Sequence, residues 1–388
     1  MIEEKRILVI KLQAYNSLSS SNMRMLAMMK GLDELGFKMD LLCTPVSAVT
    51  HINDMSDYGF LDKVSIITTA QNTSYEKLVT GAENKKSIKY VVLPLLRKIY
   101  HKFSLYTGSK RIAKKLTLKM LPHKEYEYVI SVSDPKISQI ALLTLLSKGL
   151  KCGKVIEYWG DPLTGDITQK ALYPKCFIRR EERKFLRKAD KIVYTSPFTL
   201  EMEQKLHPKY ASRMIFVPTA NAFVKIYPEH ENDIFVVGYY GAYNSTIRNI
   251  LPLYQAFDEL IGRAKLFLVG DSDLQLESTQ NVEIRPRGVV KDLEEITDLY
   301  VCVLNSSGTQ IPGKLYHNAS TNKPILVILD GDRRERMKEY LESFNRFIIC
   351  QNDKESIISA INSIIENKAV YEPCKLLDPV TIANKIIE

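Results

Sequence analysis

Along most of this chain, short apolar runs alternate with stretches of helical periodicity, and that alternation breaks once and then begins again. Ile7–Leu12 is an apolar run too short for a helix. Met25, Met28, Met29, Leu32 and Leu35 then recur at helical spacing, and Gly36 ends the segment. Further strands are predicted at Met39–Cys43, Tyr128–Val132, Val155–Trp159, Lys191–Thr195 and Ile215–Pro218. Between two of them, Ile137, Ile140, Ala141 and Leu145 form a helical stripe that opens after Pro135 and closes at Gly149. Strand–helix alternation of this kind predicts a parallel sheet with helices on both faces.

The break is Thr219–Asp233, polar, aperiodic and containing Pro228. A second series follows. It has strands at Phe235–Tyr240, Lys265–Gly270, Val282–Arg285, Leu299–Leu304, Ile325–Leu329 and Phe347–Cys350. Helices are expected near Ile250–Leu260, Lys314–Thr321 and Glu355–Ile365. The length of 388 residues suits two such domains. The expected division is residues 1–220, a linker at 221–233, residues 234–370, and a tail at 371–388 that returns to the first domain. Two α/β domains of this kind would face each other across a cleft, with ligands at the carboxyl ends of their strands.

Apolar residues at 45% and charged residues at 26% exclude disordered and fibrous classes. Dense apolar stretches such as Tyr90–Leu96 fall well short of the ~18–20 residues of a spanning helix. The first residues lack a signal-peptide layout, so a cytoplasmic location is expected. Six scattered cysteines (Cys43, Cys152, Cys176, Cys302, Cys350 and Cys374) form no close pair. They predict buried thiols in a reducing compartment, with no disulfide framework and no metal site.

The net charge of +9 is unevenly placed, because residues 84–124 hold twelve Lys and Arg and no acid. Tyr90, Leu95, Leu96, Ile99, Tyr100 and Phe103 interleave with those charges. That mixture suits an anionic membrane surface. A solvated basic helix pair and a nucleic-acid patch are the alternatives on charge alone; nucleic acid is not the expected partner.

Several residues are placed for chemistry. Pro312 and Gly313 open a short helix after a strand, with Lys314 in its first turn. A cation at that end of a helix is opposed by the dipole unless an anion such as phosphate shares the site; the alternative is a surface lysine on a loop. Asp161, between Gly160 and Pro162 at a strand end, suits a carboxylate that orients or deprotonates an acceptor hydroxyl. Asp134 competes for that role, although its place before a proline-started helix favours an N-cap. The loop Ala14–Asn22 contains no glycine, so the GxGxxG dinucleotide fingerprint is absent. Its Ser19, Ser20, Ser21 and Asn22 suit either a cleft loop or plain helix capping. Asp271-Ser-Asp273 follows a strand and is expected to be a turn.

The segment from Gln310 through Ile311-Pro312-Gly313-Lys314-Leu315-Tyr316 to Lys323-Pro324-Ile325-Leu326 resembles a signature of GT4-like, GT-B-fold glycosyltransferases of bacterial surface-polysaccharide assembly. Tyr240-Gly241-Ala-Tyr-Asn-Ser-Thr-Ile-Arg248-Asn249 is similar to the element opening their C-terminal domain. Val155–Pro162 and Lys188–Ser196 resemble two further segments. The resemblance implies two Rossmann-like domains facing across a cleft. It also implies transfer, with retention, from a nucleotide sugar to a glycan or lipid-linked acceptor, with no cofactor and no essential metal. Carried over, Arg248 and Lys314 hold the donor diphosphate, with Gly241, Gly313, His317 and Asn318 around it. His317 stands where the family has the Glu that grips the ribose hydroxyls. Thr309 falls near the family's other acidic position. That departure leaves open a non-catalytic donor-binding partner, beside a sugar-nucleotide epimerase on the same scaffold.

Overall fold

The computed structural model describes residues 5–47, 50, 52–70, 95–96, 99–100, 102–106, 110–169, 171–228, 232–288, 290–367 and 369–388. Much of the basic stretch, residues 84–94, 97–98, 101 and 107–109, lies outside the described residues. The chain divides into two compact units, one made of residues 1–218 with 379–388, the other of residues 219–378.

The first unit contains β1 (Arg6–Lys11), α1 (Ser20–Glu34), β2 (Lys38–Cys43), β3 (Ser65–Thr68), α2 (Lys110–Lys115) and β4 (Glu125–Val132). It continues with α3 (Ile137–Ser147), β5 (Lys151–Trp159), α4 (Lys175–Leu186), β6 (Lys191–Tyr194), α5 (Pro197–Leu206) and β7 (Met214–Phe216). The seven strands run in the order β3-β2-β1-β4-β5-β6-β7, and every pairing is parallel. Ile7, Leu8, Val9 and Ile10 are all fully buried because helices cover both faces of a parallel sheet, so the strand reads as an unbroken apolar run. β3 lies at the sheet edge with its side chains largely exposed, and its Ile66 and Ile67 form too short an apolar run to mark a strand in the sequence.

The second unit contains β8 (Phe235–Tyr240), α6 (Leu251–Ala256), β9 (Ala264–Val269), β10 (Val282–Arg285), α7 (Lys291–Ile296) and β11 (Leu299–Val303). After these come α8 (Gly313–Asn318), β12 (Ile325–Leu329), α9 (Arg334–Glu342), β13 (Ile348–Gln351) and α10 (Lys354–Asn367). Its six parallel strands follow the order β10-β9-β8-β11-β12-β13. Leu253, Phe257, Leu266, Leu299, Leu326 and Ile357 build its core from both sheet and helices. Near the two ends of this unit, the Asn221 amide donates to the Leu377 carbonyl at 3.0 Å.

The last helix, α11 (Pro379–Ile387), belongs to the first unit and packs on α1. Ile382, Ala383 and Ile386 are fully buried there. Gly31 of α1 lies against the Pro379 carbonyl, where a Cβ would collide with backbone.

Both sheets reverse strand order beside their first strand, between β1 and β4 and between β8 and β11. Such reversal points open a crevice at the carboxyl ends of the strands. The two units are Rossmann-like α/β folds, each with one crevice of this kind.

Candidate functional site

In the second unit, Arg248 follows β8 and Lys314 follows β11, the two strands flanking the reversal point. Arg248 is half-buried and fixed. Its Nε donates to the Asn305 side-chain oxygen at 2.9 Å, and its Nη1 donates to the Ala242 carbonyl at 2.8 Å. Asn305 in turn donates to the Gln310 carbonyl at 3.2 Å, tying the arginine to the loop that leads into α8. Ser306 holds the same loop pair, since its amide donates to the Ile247 carbonyl at 2.7 Å. This bracing holds the guanidinium plane in one orientation, the condition under which an arginine fork can bind an oxyanion.

Lys314 sits in the first turn of α8, half-buried. Burial pulls its pKa down; Glu294 opposes that shift, whereas Lys225 and Arg287 reinforce it. Three cations thus share the neighbourhood of one acid. His317, one turn further along α8, is held at about 3 by burial first and then by Lys314 and Lys225. Its imidazole is neutral across the physiological range and offers one donor and one acceptor nitrogen. Asn318 is buried beneath the same helix. A Cβ placed on Gly241 would meet nothing in the chain, so no internal packing demands glycine there. Gly270, in contrast, is pressed against the Gly241 carbonyl and has no room for a side chain.

The Asp271-Ser-Asp273 turn is used internally. Ser245 donates to Asp273 through its amide at 2.8 Å and its hydroxyl at 2.7 Å. A groove of about 750 Å³ beside β13, lined by Glu355, Ser356, Ser359 and Tyr371 among others, contains none of the expected site residues.

In the first unit, the reversal point gathers charges from β1, α1, the β4–α3 turn and the β5 end. The Lys136 ammonium donates to Asp134 at 2.8 Å and to Asp166 at 2.6 Å. Lys11 and Ser21 both donate to the Asp134 backbone carbonyl, Ser21 at 3.0 Å. Arg24 reaches the Ser133 carbonyl and lies over the Tyr158 ring, 5.2 Å from its centroid. Gly160 lies beside it, and a Cβ there would displace the Arg24 guanidinium from its present position.

The two candidate carboxylates differ. Burial raises Asp134, but Lys136, Arg24 and Lys11 outweigh it and hold the acid below its ordinary range. Asp161 is pushed up to about 7 by burial and then by Asp134, with Lys136 opposing. Among the described residues, no side chain or backbone group donates a hydrogen bond to Asp161. One carboxylate is therefore held toward its ionised form by the cations that engage it, and the other titrates near neutrality and can accept a proton.

Two expectations are corrected. Asp134 does not cap α3: that helix begins at Ile137 without a side-chain cap, and the Asp134 carboxylate is taken by Lys136. For Ser19, Ser20, Ser21 and Asn22 the cleft-loop reading gives way to its alternative, helix capping. Ser19 is the N-cap of α1, accepting from the Asn22 amide at 3.3 Å, while Ser20, Ser21 and Asn22 are its first turn. Asn22 is 1% exposed, and its amide donates to the carbonyls of Ala14, Tyr15 and Ser17. It shapes the preceding loop from inside and has no surface to offer a ligand.

Sequence reasoning overlooked Lys11, Arg24, Ser133 and Lys136, and placed Asp166, with Glu157, only as a weaker candidate than Asp161 and Asp134 for the carboxylate role. Isolated lysines and arginines read as surface charge, and only Lys11, embedded in the apolar run Ile7–Leu12, gave a hint that it is buried.

No protein-family model and no curated protein sequence matches the chain. Among solved structures, it is similar to a glycosyltransferase from Rickettsia africae, with 13% identity, 99% of this chain and 93% of that one covered, and a TM-score of 0.54. It is similar to TarM of S. aureus, solved with UDP and alpha-GlcNAc-glycerol, at 9% identity, 99% and 95% coverage and a TM-score of 0.56. It is also similar to a protein described as a UDP-N-acetylglucosamine 2-epimerase from Listeria monocytogenes, at 11% identity, 99% and 95% coverage and a TM-score of 0.53. At these identities the likeness establishes a shared two-domain Rossmann-like fold.

Proposed function

We propose that the chain is a glycosyltransferase that moves a sugar from a nucleotide-sugar donor to a glycan acceptor. The observation that carries this reading is the pair of cations after β8 and β11. Arg248 is braced through Asn305 onto the loop preceding Lys314, in a region enriched by Lys225 and Arg287. Expulsion of a nucleoside diphosphate builds negative charge on the leaving group, and preorganised cations there lower the barrier without reorganising. Gly241 and Gly313 leave the backbone close to the donor, and the neutral His317 ring, with Asn318 beneath it, meets the nucleoside hydroxyls. No metal is needed where fixed cations offset the diphosphate.

In the first unit, Asp161 receives the acceptor hydroxyl proton, and Lys136 with Asp134 and Asp166 sets the field around it. Ser19, Ser20 and Ser21 lie at the same strand ends and suit acceptor hydroxyls. The GT4-like resemblance adds retention of configuration and a lipid-linked acceptor in surface-polysaccharide assembly. A peripheral, cytoplasmic position at an anionic membrane accords with the exposed Leu95, Leu96, Ile99 and Phe103 and the neighbouring Lys102, Lys110 and Arg111. The described residues include no helix long and apolar enough to cross a membrane.

The test is a thermal-shift screen of UDP-, GDP-, ADP-, CDP- and dTDP-sugars. The true donor at a hundredfold excess over its dissociation constant stabilises by ~2.7 kcal/mol. Lys314→Ala is expected to abolish that shift, and an unchanged shift overturns the site.

The epimerase likeness supports a second reading, conversion of a nucleotide sugar without any acceptor. Incubating the identified donor alone separates the two: an epimerised nucleotide sugar favours the second reading, and an unchanged one the first. Tight donor binding without turnover on any glycan would mark a non-catalytic partner.

A further inference from the structure

Away from the reversal point, the first unit buries a second polar cluster. Glu182 of α4, Glu203 of α5 and His207 at the end of α5 are 1%, 0% and 2% exposed, and their ligating atoms all lie within 4.8 Å of one another. His207 Nε2 is 3.2 Å from Glu182 Oε2 and 3.6 Å from Glu203 Oε2. Neither Glu203 oxygen nor His207 Nδ1 has a hydrogen-bond partner of normal geometry, the Tyr194 hydroxyl being the polar neighbour that approaches Glu203. A buried carboxylate with two unsatisfied oxygens is costly, and native structures rarely leave one without a reason.

We propose that Glu182, Glu203 and His207 form a structural zinc site. Zinc–nitrogen and zinc–oxygen bonds of about 2.0–2.2 Å set donor–donor edges of about 3.3–3.6 Å in a tetrahedron. Of the two observed separations, 3.6 Å lies at the upper end of that range and 3.2 Å just below its lower end. One oxygen of Glu182, Nε2 of His207 and one oxygen of Glu203 supply three donors, with a water as the fourth, so the ion offsets the charge of the orphaned carboxylate. One imidazole with two carboxylates is a donor set that zinc accepts.

Glu182 is itself positioned for the task. Its Oε1 accepts from the Leu163 and Thr164 amides and its Oε2 from the Thr164 hydroxyl, so the side of Oε2 that faces His207 Nε2 is the one an ion between them would take. Glu203 and His207 are four residues apart on one helix, so a single helical face presents both. The burial of all three means the ion enters as the unit folds, and its binding energy adds to folding. Its structural consequence is local. It pins α4 to α5 and, through Glu182, fixes Leu163 and Thr164 directly after the Asp161–Pro162 strand end. The six cysteines take no part.

The experiment uses the full chain, produced without a polyhistidine tag in zinc-supplemented medium. Elemental analysis is expected to find zinc in one-to-one ratio with the chain. A strong chelator is expected to lower the melting midpoint, with zinc restoring it. Cobalt-loaded protein is expected to show the intense visible absorption of a four-coordinate ion. Glu203→Gln is expected to lose the bound metal and the zinc-dependent part of the midpoint, whereas Cys176→Ser, at an exposed thiol, retains both. If the folded parent protein holds no metal, responds to neither chelator nor zinc, and gives no cobalt spectrum, the cluster is a proton-sharing network and the proposal fails. A zinc content unchanged in Glu203→Gln also overturns it, as an adventitious ion only. None of these readouts depends on transferase activity, so the outcome is separate from that of the donor screen.

Discussion

At the scale of single residues, the contrast between Asp134 and Asp161 governs what the first unit can do. Asp161→Asn is expected to lower kcat by about 10²–10⁴-fold, the usual range for losing a general base. In the parent protein, activity should rise with pH through about 7 as Asp161 ionises, and that limb should vanish in the variant. The stability effect has the opposite sign. Burial raises Asp161 above its unfolded value, so its contribution is fully present in acid and is lost as pH climbs through about 7. Melting curves between pH 5 and 8 should therefore show the parent losing stability relative to Asp161→Asn. His317 behaves otherwise: held near 3, it stays neutral over that window, so donor affinity should show no inflection from it.

Elements explain what could be read in the sequence and what could not. Strands buried on both faces, such as β1 and β12, announce themselves as unbroken apolar runs, and their bounds shift by only a residue or so on folding. Lys314 stood out by its place in the first turn of a helix that follows such a strand, whereas Arg248 stood out only through the family resemblance and by itself reads as an exposed helix-cap residue. Lys136, Arg24 and the Glu182–Glu203–His207 cluster did not stand out, because their meaning arises only when separate helices and turns converge. A lysine in a turn and a glutamate on an amphipathic helix look solvent-facing until packing buries them. The α1–α11 contact belongs to this class too, joining residues over three hundred positions apart. There, Gly31→Ala forces a Cβ onto the Pro379 carbonyl and should cost about 1–3 kcal/mol by overpacking. Ile386→Ala should cost about 2–5 kcal/mol through the void it leaves. Chemical denaturation of both variants checks these values.

For the molecule as a whole, charge and exposed apolar side chains bear on location. The described part of the basic stretch presents Phe103 at 68% exposure, and Leu172, at 70%, donates its amide to the neighbouring Lys102 carbonyl. Sedimentation with vesicles is expected to pull the protein down on anionic lipid and not on zwitterionic lipid, and the double change Phe103→Ser, Leu172→Ser should weaken that capture. Equal partition onto both vesicle types would remove charge as the attraction. The return of α11 to the first unit carries a separate consequence. Residues 219–378 interrupt an otherwise continuous fold, and their own ends are stitched together where Asn221 meets Leu377. A gene cut after Pro218 deprives the first unit of its final helix, whereas one that skips from Pro218 to Pro379 through a short spacer keeps that unit entire and yields the intervening segment as a separable piece.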